Sequence, residues 1–334
     1  MSVIIITGAN GEIGHSLVEY LAERGEKIIA LDLKPMSDGL RAKCEAVFIG
    51  DILDKDILQQ LETYDIKGIY HLAALLSTTA EKFPELAQKV NVEGTHHLLN
   101  IAQRVGKRRN VPVKFLFPST IAVYGIPTLE EKMRAGAITE DQYLTPMTMY
   151  GVNKLYCEHL GRYYADRFKQ LSEERESGYI DFRAVRFPGL ISAFTVPSGG
   201  TSDYGPEMIH NAAQNKHYNC FVREDTKIPF MAMPDGIRAL VELAHAPIQK
   251  LTRKVYNIGA FAPSAEEFNQ LVQKAFPNSS VSFQPDMRRQ GIVDSWCSDV
   301  KDESALNDWG WKAEYDFERT FFEYVVPNIK KRYS

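Results

Sequence analysis

Apolar positions along this chain follow two alternating periods. Short continuous apolar runs occur at SVIIIT (2–7), KIIALD (27–32), EAVFIGD (45–51), GIYHLAA (68–74), VKFLFPST (113–120) and FRAVRF (182–187). Such runs suit strands that are covered on both faces. Between them, apolar residues recur every three or four positions, as helices require. This occurs in GHSLVEYLAERG (14–25), in a short helix from about Asp54, through ELAQKVNVEGTHHLLNIAQRVG and in TMYGVNKLYCEHLG (148–161). The alternation predicts an α/β protein of the doubly wound, Rossmann type: a parallel sheet with helices on both faces and right-handed crossovers.

Past about Leu190 the texture changes. Pro, Gly and Ser cluster in FPGLISAFTVPSGGTSDYG, and shorter elements follow. They are a helix at 205–214, a strand near YNCFV, a helix from Asp235, the strand KVYNIG, a helix from Ser264, the strand SVSFQP and two amphipathic helices around ESALNDWGW and FERTFFEYVV. The expected division is a dinucleotide-binding domain at 1–190 and a smaller α/β substrate lobe at 191–334, with some late elements returning to the large sheet. Ligands of such folds bind beyond the carboxyl ends of the strands.

Composition narrows the class. With 334 residues, 44% hydrophobic, the chain can bury a large core. The 39 basic and 43 acidic residues are well mixed, and no basic block points to nucleic acid or a membrane surface. No long apolar stretch or leader-like start is read, so cytoplasm is the expected location. Cys44, Cys157, Cys220 and Cys297 lie far apart without a CxxC, as reduced thiols rather than a disulfide or zinc framework.

Two motifs carry chemistry. TGANGEIG places Gly8, Gly11 and Gly14 directly after the first strand and at the opening of the first helix. That context allows a tight turn, close backbone approach to a pyrophosphate and a helix N-terminus to face its charge. Asp32 ends the second strand, where a carboxylate accepts from ribose hydroxyls and repels a 2′-phosphate, favouring NAD over NADP; nearby Lys34 softens that rejection. Asp51 has two open readings, an adenine contact or a cap for the next helix. HLAA (71–74) offers small residues at the fourth strand end, for cofactor passage or for tight packing.

The second motif is Tyr150 and Lys154, spaced i and i+4 and so one turn apart on one helical face. A neighbouring ammonium and a cationic nicotinamide both favour phenolate, making Tyr150 a base for a hydroxyl proton. Ser119 and Thr120, at the end of VKFLFPST, offer the supporting hydroxyl. His71 reads as a core histidine. His96 and His97 are adjacent and point in different directions, so no metal is expected.

With these residues, the sequence resembles the extended short-chain dehydrogenase/reductase superfamily over nearly its whole length: TGxxGxxG, Asp32, HLAA, Asn91 in VNVEGT and YxxxK all match. The resemblance puts Thr120 in the usual hydroxyl position and gives Asn91 a role supporting the long helix and the active-site region. It implies cofactor contacts from Gly8, Asn10, Gly11, Glu12, Ile13, Gly14, Asp32, Asp51, Ile52, Leu72, Ala73, Ala74, Asn91, Tyr150, Lys154 and Leu190.

Within the superfamily, Ile121 and Ala122 follow Thr120 where dehydratases carry acidic residues. TKIPFMAMPD has Ile228 and Pro229 where sugar-nucleotide enzymes carry a diphosphate-binding arginine. LLS (75–77), PSTIAVYG, TPMTMYGVNKLYCEHLG, RFPGLIS, GGTSDYGPEMIH, IPFMAMPD and IVDSWCSD are similar to the short-chain-type L-threonine 3-dehydrogenases. Two segments are longer than that resemblance implies, Gly125 to Tyr150 and KQLSEERESGYI. The resemblance implies NAD-dependent oxidation of L-threonine, or a close β-hydroxy amino acid, to 2-amino-3-oxobutyrate, with substrate held by Ser77, Thr120, Tyr150, Thr201 and Trp296. It also implies a homodimer built on the helix carrying Tyr150 and the long helix before the fifth strand. The rival readings are a nucleotide-sugar epimerase of the same superfamily and a non-catalytic NAD sensor.

Overall fold

The structure is a computed structural model and describes residues 2–174, 176–197 and 199–333. Of the longer segment KQLSEERESGYI, Arg175 lies outside the described residues. Five of the apolar runs form β1 (Val3–Thr7), β2 (Ile28–Asp32), β3 (Ala46–Ile49), β4 (Ile66–His71) and β5 (Val113–Thr120). With the strands Ile180–Phe187 and Val255–Asn257 they make one seven-stranded sheet. Its order is β3, β2, β1, β4, β5, Ile180–Phe187, Val255–Asn257. β1 pairs in parallel with β2 and β4, β2 with β3, and β4 with β5. The order runs outward from β1 in both directions, so the topological switch lies between β1 and β4, where doubly wound sheets bind ligands. The doubly wound expectation holds, and Val255–Asn257 is the late element that returns to the large sheet.

The chain forms two compact units. The first comprises Met1–Ser119, Val152–Val185 and Leu240–Val255. Its core is aliphatic and aromatic: Ile5, Ile29, Leu31, Ile69, Leu98, Phe115, Phe117 and Phe182 are all buried. Gly161 sets the approach of the helix Met149–Asp166 to the strand Ile180–Phe187, because a methyl there would sit 2.1 Å from the Phe182 ring. The long helix expected before β5 runs from Pro84 to Arg109, but it is not regular: Gln88–Glu93 winds as a π turn. It ends with Lys107, Arg108 and Arg109 in its last turn, where cations suit the helix dipole, and left-handed Asn110 caps it.

The second unit comprises Thr120–Gly151, Arg186–Ala239 and Tyr256–Ser334. Three small parallel strand pairs lie in it: Gly189–Ile191 with Phe230–Ala232, His217–Cys220 with Ser280–Phe283, and Ala137–Ile138 with Asp299–Val300. An aromatic cluster of Tyr204, Phe221, Phe230, Phe268 and Phe321 fills its centre. Arg186 is fully buried and donates to the Tyr124 hydroxyl and the Glu140 carbonyl, so its charge is met by oxygen rather than water. Within the longer Gly125–Tyr150 segment, the helix Leu129–Ala135 and the two-residue strand Ala137–Ile138 were not anticipated from the sequence. Seven- and two-residue elements carry too little periodicity to be read.

Candidate active site

The first unit supplies a dinucleotide cradle. β1 ends at Thr7 and the chain turns at Gly8, whose φ of 66° is the left-handed region. A methyl at Gly8 would lie 2.8 Å from the Ala73 nitrogen, and one at Gly14 only 2.1 Å from the Gly8 oxygen. Both positions therefore exclude any side chain. Gly11 is the N-cap of the helix Glu12–Ala22 and provides no side-chain cap, so the helix start is dressed to receive an anion. The Asp32 carboxylate accepts the backbone N–H of Asn10 at 2.9 Å and of Lys34 at 2.9 Å, which ties the glycine turn to the end of β2. These features fit the diphosphate and ribose of a dinucleotide.

The other expected cofactor residues of this unit divide. Leu72, Ala73 and Ala74 are half-buried just past β4. Asp51 is exposed and accepts from the Leu53 N–H at 2.9 Å, while Asp54 is the residue that caps the helix Lys55–Glu62. The capping alternative for Asp51 is thus filled by its neighbour. Ile52 is buried against Gly94 in the core. Asn91 lies in the π turn, and its amide holds both polar groups of the Leu75 backbone, accepting from N–H at 2.8 Å and donating to C=O at 3.0 Å. It also donates to Asn153 at 3.3 Å, on the helix that carries Lys154. Ser77 is the first residue of the helix Ser77–Lys82, with Leu76 at the capping position.

Lys154 is buried, and its ammonium donates to the Pro118 carbonyl at 2.7 Å and sits 4.5 Å from the Phe117 ring centre. Burial pulls it down to about 8, against the raising effect of Cys157 and Glu158. Ser119 and Thr120, offered together by the sequence, have different employment. The Ser119 hydroxyl is taken by the buried carboxylate of Glu158.

The second unit supplies Thr120, Tyr150, Thr201, Leu190 and Trp296. Thr120 Oγ1 accepts the Ala122 N–H at 3.1 Å, which uses a lone pair and not the hydroxyl proton. Gly151 brings the first turn of the Met149–Asp166 helix against the Thr120–Ala122 turn, since a methyl there would meet the Ala122 oxygen at 2.0 Å. Thr148 caps that turn by accepting the Gly151 N–H at 3.1 Å. Tyr150 stands in this first turn and Lys154 one turn further on, as the spacing required. Burial pushes the Tyr150 phenol above its ordinary value. Tyr150 therefore rests as a neutral phenol.

Thr201 is buried in the glycine-rich turn. The Gly200 N–H there donates to the Asp203 carboxylate at 2.6 Å. Arg289, missed in the sequence, donates to the Gly200 carbonyl at 2.8 Å and stacks on Phe221. Trp296 is buried, and its indole N–H finds no partner among the described residues. Lys132, also missed, donates to the Val293 carbonyl at 3.0 Å in the helix leading to Trp296. Leu190 is half-buried in the strand Gly189–Ile191. His96 stacks on His97, and no cluster of three metal-ligating side chains occurs among the described residues.

A glycine-turn cradle at a sheet switch point, followed by a tyrosine and a buried lysine one helical turn apart, defines the class of an NAD-dependent oxidoreductase. Residues 4–259 match the NAD dependent epimerase/dehydratase family, and the chain belongs to that family. It is similar to the L-threonine 3-dehydrogenase, mitochondrial, of Bos taurus, 35% identical over 320 residues that cover 94% of this chain and 79% of the relative. An uncharacterized epimerase/dehydratase of Staphylococcus aureus is also 35% identical, covering 95% of this chain and 93% of its own. Among solved structures, a monomeric L-threonine 3-dehydrogenase from a metagenome superimposes with a TM-score of 0.86 at 35% identity, covering 99% of this chain and 100% of that one. That last relative is monomeric, so the similarity does not carry the expected homodimer.

Proposed function

We propose that this chain oxidises the side-chain hydroxyl of L-threonine to give 2-amino-3-oxobutyrate and NADH. The observation that carries the reading is the 35% identity to an L-threonine 3-dehydrogenase over 94% of this chain. The Tyr150–Lys154 pair supports it, since it suits removal of a proton from a secondary alcohol.

Gly8, Gly11 and Gly14 receive the diphosphate of NAD and Asp32 its adenine ribose. When bound, NAD supplies the hydride acceptor and a positive charge. Lys154, fixed by the Pro118 carbonyl, holds the nicotinamide ribose and, together with that charge, favours the phenolate of Tyr150. Tyr150 takes the hydroxyl proton as the hydride departs from the β-carbon. Thr120 donates its remaining hydrogen bond to the reacting oxygen. Ser77, Thr201 and Trp296 hold the rest of the amino acid, with Trp296 excluding water. Ser119, engaged by Glu158, orients that buried carboxylate rather than the substrate.

NADH absorbance with L-threonine, other β-hydroxy amino acids and UDP-sugars tests this reading. Turnover is expected with L-threonine. Conversion of a UDP-sugar without turnover of threonine would instead make the chain an epimerase, and tight NAD binding without any turnover would make it a sensor.

The assembly belongs to the same reading. Val152, Tyr156 and Tyr163 are exposed on the Met149–Asp166 helix, a row of apolar side chains suited to a second copy. A dimer mass in light scattering, reduced to a monomer by Tyr156→Asp, is the expected result. A cytoplasmic setting accords with the four cysteines, all of which are free.

A further inference from the structure

His71 ends β4 and is entirely buried, yet the mechanism above gives it no task. Its two ring nitrogens lie in a chain of hydrogen bonds whose direction can be worked out. Thr95 Oγ1 has one proton and donates it to the Asn91 carbonyl at 2.6 Å, because a carbonyl only accepts. The 2.9 Å contact between Thr95 Oγ1 and His71 Nε2 must then be a donation from the ring. Burial and the Lys154 ammonium pull the imidazole down to about 3, so it is neutral and its Nδ1 carries a lone pair. Thr7 Oγ1, 2.8 Å from Nδ1, therefore donates to it. With its proton spent, the Thr7 oxygen is an acceptor toward the Ala73 N–H at 3.3 Å.

That last bond falls where the cradle is tightest. Gly8 follows Thr7, and the Leu72–Ala73 peptide presses against it so closely that a methyl on Gly8 would meet the Ala73 nitrogen at 2.8 Å. Leu72 also donates to the Thr7 carbonyl at 3.1 Å. A histidine of the opposite tautomer, or a charged one, would present N–H to Thr7. The hydroxyl would then accept from the ring as well as from the Ala73 N–H, and its bond to the ring would no longer fix where its own proton points.

We propose that His71, held as the neutral Nε2–H tautomer by Thr95, is a positioning residue that fixes the Thr7 hydroxyl and so the spacing between the Gly8 turn and the Leu72–Ala73 peptide against which NAD lies. This rests on the cofactor reading of that edge.

Isosteric changes test it. Thr7→Val removes the hydroxyl and Thr7→Ser keeps it. In His71→Asn the amide oxygen takes the place of Nδ1 and still accepts from Thr7. In His71→Gln the amide reaches the Nε2 position and abandons Thr7. Thr7→Val and His71→Gln are expected to raise Kd and KM for NAD about tenfold, the order of one lost buried hydrogen bond, with kcat nearly unchanged. Thr7→Ser and His71→Asn should stay within about threefold of wild type for NAD, even though His71→Asn melts lower for want of its bond to Thr95. Equal NAD affinities in Thr7→Val and Thr7→Ser, or a loss of kcat with KM for NAD unmoved, would overturn the inference alone. Wild-type protein that fails to bind NAD in calorimetry would overturn the cofactor reading and the inference with it.

Discussion

Tyr150 and Lys154 meet the same obstacle from opposite sides, because burial disfavours the charged form of each: the phenol rises and the ammonium falls to about 8. On the proposed mechanism, phenolate needs positive charge beyond that of Lys154, and bound NAD would supply it. Tyr150→Phe should lower kcat by ~10²–10⁴-fold, the usual worth of a general base, while leaving NAD affinity within about twofold; steady-state kinetics and calorimetry check both halves. Asp32 uses its carboxylate on the Asn10 and Lys34 amides, so Asp32→Ala loosens the glycine turn as well as losing the proposed ribose contact. Its Kd for NAD should rise at least about tenfold and its preference over NADP should shrink. An unchanged NAD:NADP ratio would remove the ribose role. Tyr204 gives the reverse case. Its hydroxyl is fully buried among aromatic rings with no partner among the described residues, so Tyr204→Phe should raise the melting temperature by ~2–4 °C. Residues with a one-dimensional signature, such as Gly8, Asp32 and the tyrosine–lysine pair, were legible in the sequence. Arg289 and Lys132 were not, because what singles them out is a backbone carbonyl 89 or 161 positions away.

At the scale of elements, the apolar runs marked the strands well because a strand covered on both faces tolerates few polar residues. β5 was read from the sequence with its true limits, Val113–Thr120. The π turn at Gln88–Glu93 was invisible, since one extra residue in a turn leaves the apolar spacing almost intact. The helix Met149–Asp166 depends on small residues where it meets its neighbours. Gly151→Val places a branched side chain on the Ala122 oxygen and should displace the Thr120 turn. The expected outcome is a loss of kcat of at least about tenfold at saturating NAD, with the diphosphate cradle, which lies on other elements, left intact. Wild-type kcat in that variant would show that the turn does not position the reacting hydroxyl.

For the whole molecule, His71 links stability to acid. A histidine in the unfolded chain titrates near ~6.5, whereas in the fold it stays neutral down to about 3. As pH falls below ~6.5, the unfolded chain binds a proton that the fold refuses. The contribution of His71 is complete above ~6.5, falls by ~1.4 kcal/mol per pH unit through the interval, and levels once the folded group titrates. Denaturant unfolding at pH values of about 7 and about 5 should show this slope, and His71→Asn should flatten it by one proton. The overall plan was legible because alternation of strand and helix is a property of the whole sequence. The partition into units was not, for it depends on which distant segments meet.

That partition bears on how the protein is made. The chain passes from one unit to the other after Ser119, Gly151, Val185, Ala239 and Val255. A nascent polypeptide leaving the ribosome cannot finish the first unit until Val255 has emerged, by which time two segments of the second are already waiting outside the exit tunnel. Translation and folding therefore cannot proceed unit by unit. A gene truncated between the two would yield neither half, and any scheme that severs the polypeptide for complementation has to cut within a surface loop rather than at a boundary.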